Sequence, residues 1–363
     1  MTTRQATTRE LAQWVTGSAP ADLRPAVGWD ALLTVAAEHQ LLPAVAGAMR
    51  ARGWSPTRSR FDRHGTSPAA VLADAYAATR RRQRSLRTHL ELSLGALVSR
   101  AIPVVPIKAA HWMLAGWLAD PPARQTIDID LVIEPSASGA AVTAMQSLGY
   151  GALASGPDQD LATHQLPAMA HPKIDGSVEL HVAPMRGRHP VVSGAGLMER
   201  SVALTGTPLR LPSVDDAIAL LIAHATVHDH STQLALLPLR AVIDLVSISA
   251  AVGPVDWAAL RRRFHRSGPA GVLAIEGFLA TARALTEADV PEPTRIGQRW
   301  FDAAWYGLDH PIALRRWQEL WTLRQGMRRA RMEDLYGARS RPAVARARVG
   351  HLARGVRRRV GTP

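Results

Sequence analysis

Asp128 and Asp130 stand one residue apart in the run Arg124-Gln125-Thr126-Ile127-Asp128-Ile129-Asp130-Leu131-Val132-Ile133. The run reads as a strand. Period-2 alternation sends both carboxylates to one face and points Ile127, Ile129 and Leu131 into a core. Carboxylates this close repel, and a cation between them offsets that cost. Oxygen donors of this kind suit a hard divalent ion, Mg²⁺ or Mn²⁺. The polar, solvent-facing side of an edge strand would carry the same pattern. Glu179 supplies a third carboxylate: in Val178-Glu179-Leu180-His181-Val182, again a strand, Glu179 and His181 share one face. If the two strands are neighbours, Asp128, Asp130 and Glu179 make a triad able to hold two ions. Such sites stabilise both oxygens of an in-line phosphoryl displacement. Upstream, Ile107-Lys108-Ala109-Ala110 reads as a strand-to-helix turn. Backbone amides and the helix dipole there suit phosphate, and Lys108 adds a point charge.

Other constellations carry less. His224 and His228 are four residues apart and could bind a metal, but no glutamate completes a zincin pattern. On an apolar helix they read as hydrogen-bonded packing residues, with Asp244 the expected partner. His181, beside Glu179, would orient a carboxylate or touch substrate. Trp112 and Trp117 read as core, with Trp112 an alternative wall for a base pocket. Neither a Gly-x-x-x-x-Gly-Lys loop nor a serine elbow occurs.

The elements that must position these residues form an α+β pattern. Residues 1–100 read as a helical region, with segments at Arg9–Val15 and Trp29–Met49 and a long helix from Ala69 to Arg100. Its arginines Arg80, Arg81, Arg82 and Arg84 read as a solvated face. Residues 101–212 form a compact α+β core: a strand at Ile102–Ile107, a helix at Lys108–Leu118, a strand at Thr126–Ile133 and a helix at Ser136–Leu148. Strands at His164–His171 and Ser177–Val182 are expected to be joined at Asp175-Gly176, a favoured hairpin pair. An edge strand at Leu209–Leu211 completes a small mixed sheet. Residues 213–336 are helical again, capped by Ser213 with Asp215 and Asp216 in the first turn. Residues 337–363 form an Arg-rich tail.

Composition limits what this frame can do. The chain has 363 residues, 47% of them hydrophobic, and no cysteine. That excludes disulfides, thiolate metal sites and cysteine nucleophiles. No apolar run is long enough to span a membrane, and the N-terminus lacks the order of a signal peptide, so a cytoplasmic protein is expected. The net charge is +13, yet only Lys108 and Lys173 are lysines. Arginine bias of that kind follows from GC-rich codon usage and argues poorly for nucleic-acid binding. Eight arginines lie between Arg339 and Arg359, after the last acidic residue, Asp334; without them residues 1–334 carry +5.

The order of these motifs resembles the nucleotidyltransferase superfamily built on a polymerase-β-like core. It is closest to a poorly characterised bacterial nucleotidyltransferase family with a Leu-Lys-Gly turn, an Arg before Asp-x-Asp-Leu, and an acidic residue before Leu-His. Here those elements read Ile107-Lys108-Ala109, Arg124, Asp128-Ile129-Asp130-Leu131 and Glu179-Leu180-His181. A downstream stretch, Leu221-Ile222-Ala223-His224 to His228 and Leu239-Arg240-Ala241-Val242-Ile243-Asp244, also fits, so the resemblance spans about 100–250. It implies an Mg²⁺- or Mn²⁺-dependent transferase moving a nucleotidyl group from an NTP to an acceptor, with pyrophosphate leaving. Asp128, Asp130 and Glu179 would be metal ligands and catalytic groups, and Lys108, Ala109 and Arg124 would bind nucleotide. One departure stands out: the family's turn glycine is Ala109 here, and alanine tolerates positive φ poorly.

The acceptor expected is a small molecule, peptide or protein. An alternative is a tRNA- or RNA-modifying enzyme of toxin type, for which the Arg-rich tail and the Arg80–Arg84 cluster would supply nucleic-acid contacts. A third is a catalytically silent relative acting as a binding protein.

Overall fold

A computed structural model describes residues 3–17, 24–53, 67–153, 164–185, 191–229, 231–326, 340 and 344–345. The helix that underlies the sheet is α4, Pro68–Val98. It starts where Ser67 caps it by accepting from the Ala70 amide and Pro68 occupies the first turn. Its buried stripe, Leu86, Leu90, Leu94 and Leu97, recurs at three- and four-residue intervals. Each fully buried leucine contributes about 1.5–3 kcal/mol.

That stripe packs against a five-stranded mixed sheet of β1 (Val104–Pro106), β2 (Asp128–Ile133), β3 (Gly151–Ala152), β4 (Met169–His171) and β5 (Ile174–His181), ordered β1-β2-β5-β4-β3. The β2–β5 pair is parallel and all others are antiparallel. Ile129, Leu131 and Ile133 of β2, with Val178 and Leu180 of β5, join α4 and α6 (Ser138–Gln146) in one core. Ile127 departs from its expected inward place. It precedes the first paired residue of β2 and is 58% exposed, because alternation governs burial only where the ladder continues.

The hairpin between β4 and β5 also differs from expectation. His171 pairs with Ile174, so the turn residues are Pro172 and Lys173. Asp175 and Gly176 lie where the register slips before Met169 meets Val178, and Gly176 has φ 114°. The glycine serves a bulge rather than the turn. A Cβ there would meet Leu86 Cδ2 at 3.0 Å, so bulge and α4 fit only around a glycine.

On the other face of the sheet lies α5 (Lys108–Ala115), followed in chain order by α7 (Gly194–Arg200), α8 (Val214–Ala223), α9 (Leu239–Val252), α10 (Trp257–Arg266) and α11 (Pro269–Leu285). Val105, Ile107, Trp112 and Val132 share a core with α8–α11. Ser213 caps α8 as its sequence predicts, accepting from the Asp216 amide. Asp216, fully buried, takes Arg200 and Arg263 as ion-pair partners. The first three helices, α1 (Thr3–Thr16), α2 (Trp29–Glu38) and α3 (Leu42–Ala51), close a third core with residues of α9, α11 and α12 (Arg295–Asp309). Residues from both ends of the chain therefore build one apolar layer. A last helix, α13, runs Pro311–Gly326. A small antiparallel pair, β6 (Val202–Ala203) and β7 (Arg210–Leu211), sits beside β1 through a Val104–Leu209 bridge. No helix among the described residues is long and apolar enough to cross a membrane. The Arg-rich tail lies outside the described residues except for Ser340, Val344 and Ala345; of these, Val344 is buried.

Candidate active site

Parallel pairing of β2 with β5 sets Asp130 directly opposite Glu179 and Asp128 opposite Ser177. Period-2 geometry then puts Asp128, Asp130, Glu179 and His181 on one face, away from the α4 core. Asp130 is 3% exposed, and its Oδ1 accepts from Lys108 Nζ at 2.9 Å and from His181 Nε2 at 2.9 Å. His181 Nε2 also lies 3.4 Å from Glu179 Oε2. Asp130, Glu179 and His181 offer ligand atoms within 4.8 Å of one another. His181 is thus a nearer neighbour of the Asp130–Glu179 pair than a mere flanking residue.

Charge is unevenly neutralised. Burial alone would raise the Asp130 carboxyl, but Lys108 and His181 hold it well below the usual carboxylate range. Asp128 goes the other way: burial, then repulsion from Asp130 and Glu179, pushes its carboxyl up to about 6. Burial would lower His181, but its hydrogen bonds to Asp130 and Glu179 dominate and raise it. The site's cations thus favour the charged form of Asp130, while Asp128 is left costly to ionise.

Lys108 occupies the turn between β1 and α5, and the positive φ of that turn, 51°, falls on Lys108 itself. Ala109 and Ala110 are ordinary helical residues, both buried. The missing family glycine at Ala109 therefore demands no unusual backbone. Lys108 bears a cost of about 1 kcal/mol for its left-handed conformation, and its ion pair with Asp130 holds it there.

Arg124 reaches the site from the segment before β2. Its Nε donates to Asp244 Oδ1 at 3.0 Å, its Nη1 to Thr126 Oγ1 at 2.8 Å, and its guanidinium lies 4.5 Å from the Trp112 ring centre. Trp112 is core, as expected, and also forms this cation–π floor. Asp244 consequently serves Arg124, not the histidines expected to use it. His224 and His228 pair instead with Asp229. Arg240, at the start of α9, donates to Gln40 Oε1 and to the Gln125 carbonyl, both neutral acceptors. Burial, then the nearby Arg124 charge, lowers its pKa.

Lys108, Arg124, Asp128, Asp130 and Arg240 line one cavity of about 890 Å³, which His224 and Asp229 also line. That volume is of the size that encloses small-molecule ligands. Arg240 and Asp229 were not singled out from sequence as site residues. The signals existed: Arg240 lies four residues before Asp244 on one helix face, and Asp229 directly follows His228. Of the expected site residues, Asp128, Asp130, Lys108, Ala109 and Arg124 all line this cavity, and Glu179 and His181 adjoin it through Asp130. The Arg80–Arg84 cluster is a solvated face with Arg82 paired to Asp175.

Comparison with curated proteins and with solved structures returns no match. A family model matches residues 25–280, a wider span than the motifs alone indicated, and the protein belongs to the family of uncharacterised nucleotidyltransferases and is by that membership a nucleotidyl-transferring enzyme.

Proposed function

We propose that the cavity binds an NTP and an acceptor together, and that the enzyme moves the nucleotidyl group to the acceptor with release of pyrophosphate. On this reading Asp128, Asp130 and Glu179 hold Mg²⁺ or Mn²⁺. The single observation that carries it is the Asp130–Glu179 register pair with Asp128 two residues away, at the wall of a cavity that also exposes Lys108, Arg124 and Arg240.

The donor set fits a hard divalent ion. Three carboxylates supply oxygen, and Asp128, made costly to ionise by burial and then by Asp130 and Glu179, would be relieved by a bound cation. When bound, the ion would neutralise charge developing on the phosphates and the leaving pyrophosphate. The remaining work falls to the chain. Lys108 and the start of α5 face phosphate oxygens; Arg124, fixed by Asp244 and Trp112, presents a preoriented guanidinium. Arg240, whose hydrogen bonds among the described residues go to neutral oxygens, would offer its guanidinium to an anion. Glu179 would bind the ion or, alternatively, take the acceptor's proton, and His181 supports the carboxylates by contacting both Asp130 and Glu179. The acceptor is a hydroxyl or phosphate of a small molecule, peptide or protein.

The test incubates the purified protein with each labelled NTP, Mg²⁺ or Mn²⁺, and fractions of metabolites, peptides, proteins and RNA. Label transfer and pyrophosphate release are followed together. Transfer that requires the divalent ion and disappears in Asp128→Asn supports the reading. Undiminished transfer in Asp128→Asn refutes the metal assignment.

A further inference from the structure

The same cavity is lined by part of a second cluster. α8 ends in a π-helical turn, His224–His228, an arrangement rare in proteins and concentrated at functional sites. The Asp229 amide donates to the His224 carbonyl at 2.9 Å, five residues back, and so closes the turn. One consequence is that the His224 and His228 rings stack, with centres 4.6 Å apart and planes 17° apart. The other is that the Asp229 carboxylate lies between their nitrogens: Oδ2 is 3.3 Å from His224 Nδ1, and Oδ1 is 3.1 Å from His228 Nδ1. All three ligand atoms fall within 4.8 Å of one another.

We infer that His224, His228 and Asp229 form a second metal site, selective for a borderline divalent transition ion such as Zn²⁺, Co²⁺ or Ni²⁺. Two imidazoles and one carboxylate are a donor set of that preference, and a chain without cysteine offers no thiolate competitor. The nitrogen-to-oxygen separations match the edges of a coordination shell, since ligands about 2.1 Å from an ion at near-tetrahedral or octahedral angles stand roughly 3.0–3.4 Å apart. The three side chains are only partly buried, and His224 and Asp229 line the cavity, so an ion can enter. Three protein ligands leave positions on the cavity side where an oxygen or nitrogen of a substrate completes the shell. The inference does not depend on the transfer reaction proposed for the carboxylate site.

The probe is Co²⁺, titrated into the full chain in the presence of millimolar Mg²⁺ and followed by its visible ligand-field absorption. One equivalent of Co²⁺ is expected to bind. His228→Gln and Asp229→Asn should each weaken that binding by more than about tenfold, as loss of a ligand exceeds loss of a supporting contact. Asp128→Asn, which alters only the carboxylate site, should leave the Co²⁺ titration unchanged, and so should His265→Gln, a control for adventitious binding by an exposed histidine. Thermal melts establish that each variant is folded, and two independent ligand variants keep the test alive if one is not. The inference is overturned by absence of Co²⁺ uptake under Mg²⁺, by unchanged affinity in folded His228→Gln and Asp229→Asn, or by loss of uptake in Asp128→Asn.

Discussion

The two walls of the cavity are built by different means and carry opposite imbalances of charge. The sheet wall holds Asp128 and Asp130, with Glu179 adjoining through Asp130, and their positions are fixed by strand register. The helical wall holds Arg240 and the His224–His228 turn, with positions fixed by a helix start and a π-turn. Asp128 is a carboxyl that its neighbours make reluctant to ionise. Arg240 is a guanidinium whose charge is made costly by burial and then by the nearby Arg124. Each wall stores electrostatic cost that a ligand carrying both a cation and phosphates would relieve, which is the preorganisation that catalysis requires. Neither wall alone makes that case.

The largest effects should come from the sheet wall, where two neighbouring aspartates separate function from stability. Asp128→Asn and Asp130→Asn should each reduce nucleotidyl transfer by about 100-fold or more, read from pyrophosphate release. Only Asp130→Asn should also destabilise, by about 2 kcal/mol or more in denaturant titration, because it strips Lys108 and His181 of their shared partner. Metal-free Asp128→Asn should be at least as stable as the parent at pH 7–8. The sign follows from linkage: the folded protein holds a proton on Asp128 up to about pH 6, the unfolded chain only to about 4. The parent therefore loses stability as pH rises through that window, and the advantage of the variant should vanish as pH falls to 4. Equal stability of the two variants at pH 7 would erase the distinction between the aspartates.

The seam between the walls is α5, and it contains His111, almost wholly buried against Trp117 with ring centres 4.4 Å apart. Burial pushes its pKa down to about 4. Its Nδ1 lacks a hydrogen-bond partner among the described residues, so the ring is neutral in the fold. Between pH 6.5 and 4 the unfolded chain binds a proton here that the folded protein refuses, so stability falls as pH falls. The loss reaches about 3 kcal/mol below pH 4. His111→Phe, which keeps a ring on Trp117, should flatten the difference in melting temperature across this range relative to the parent. A parallel pH dependence in both proteins would show that the seam does not respond to acid.

On the helical wall, Arg240→Gln should raise KM for NTP about tenfold with a smaller change in kcat, as expected for a charged hydrogen bond to a bound phosphate. An unchanged KM would confine phosphate recognition to Lys108 and Arg124. The smallest effect belongs to Ala109→Gly. Because the positive φ lies on Lys108, restoring the family glycine should not strengthen nucleotide binding, and it should cost up to about 1 kcal/mol of helix stability. Tighter nucleotide binding in Ala109→Gly would mean that the turn rearranges when phosphate arrives.

Local pattern carried much of this protein. Alternation in Ile127–Ile133 and Val178–Val182 is enough to put Asp128 with Asp130 and Glu179 with His181, because a strand has only two faces. The Ser213 cap, the α4 stripe and the strand-to-helix turn at Lys108 are local as well, since each depends on residues within a few positions. What no local pattern contains is which elements meet. That β2 and β5 are parallel neighbours, so that Asp130 faces Glu179, depends on pairing across 49 residues. That Asp244 holds Arg124, while Asp229 holds both histidines, depends on where α9 and the π-turn come to rest. Asp175-Gly176 shows the same limit at short range: the pair has the chemistry of a turn, but the packing of Leu86 against the bulge and the pairing of His171 with Ile174 assigned it otherwise. Side-chain chemistry is written residue by residue. Partnership is decided by the burial of distant apolar faces, here three cores that draw helices from both ends of the chain around one sheet.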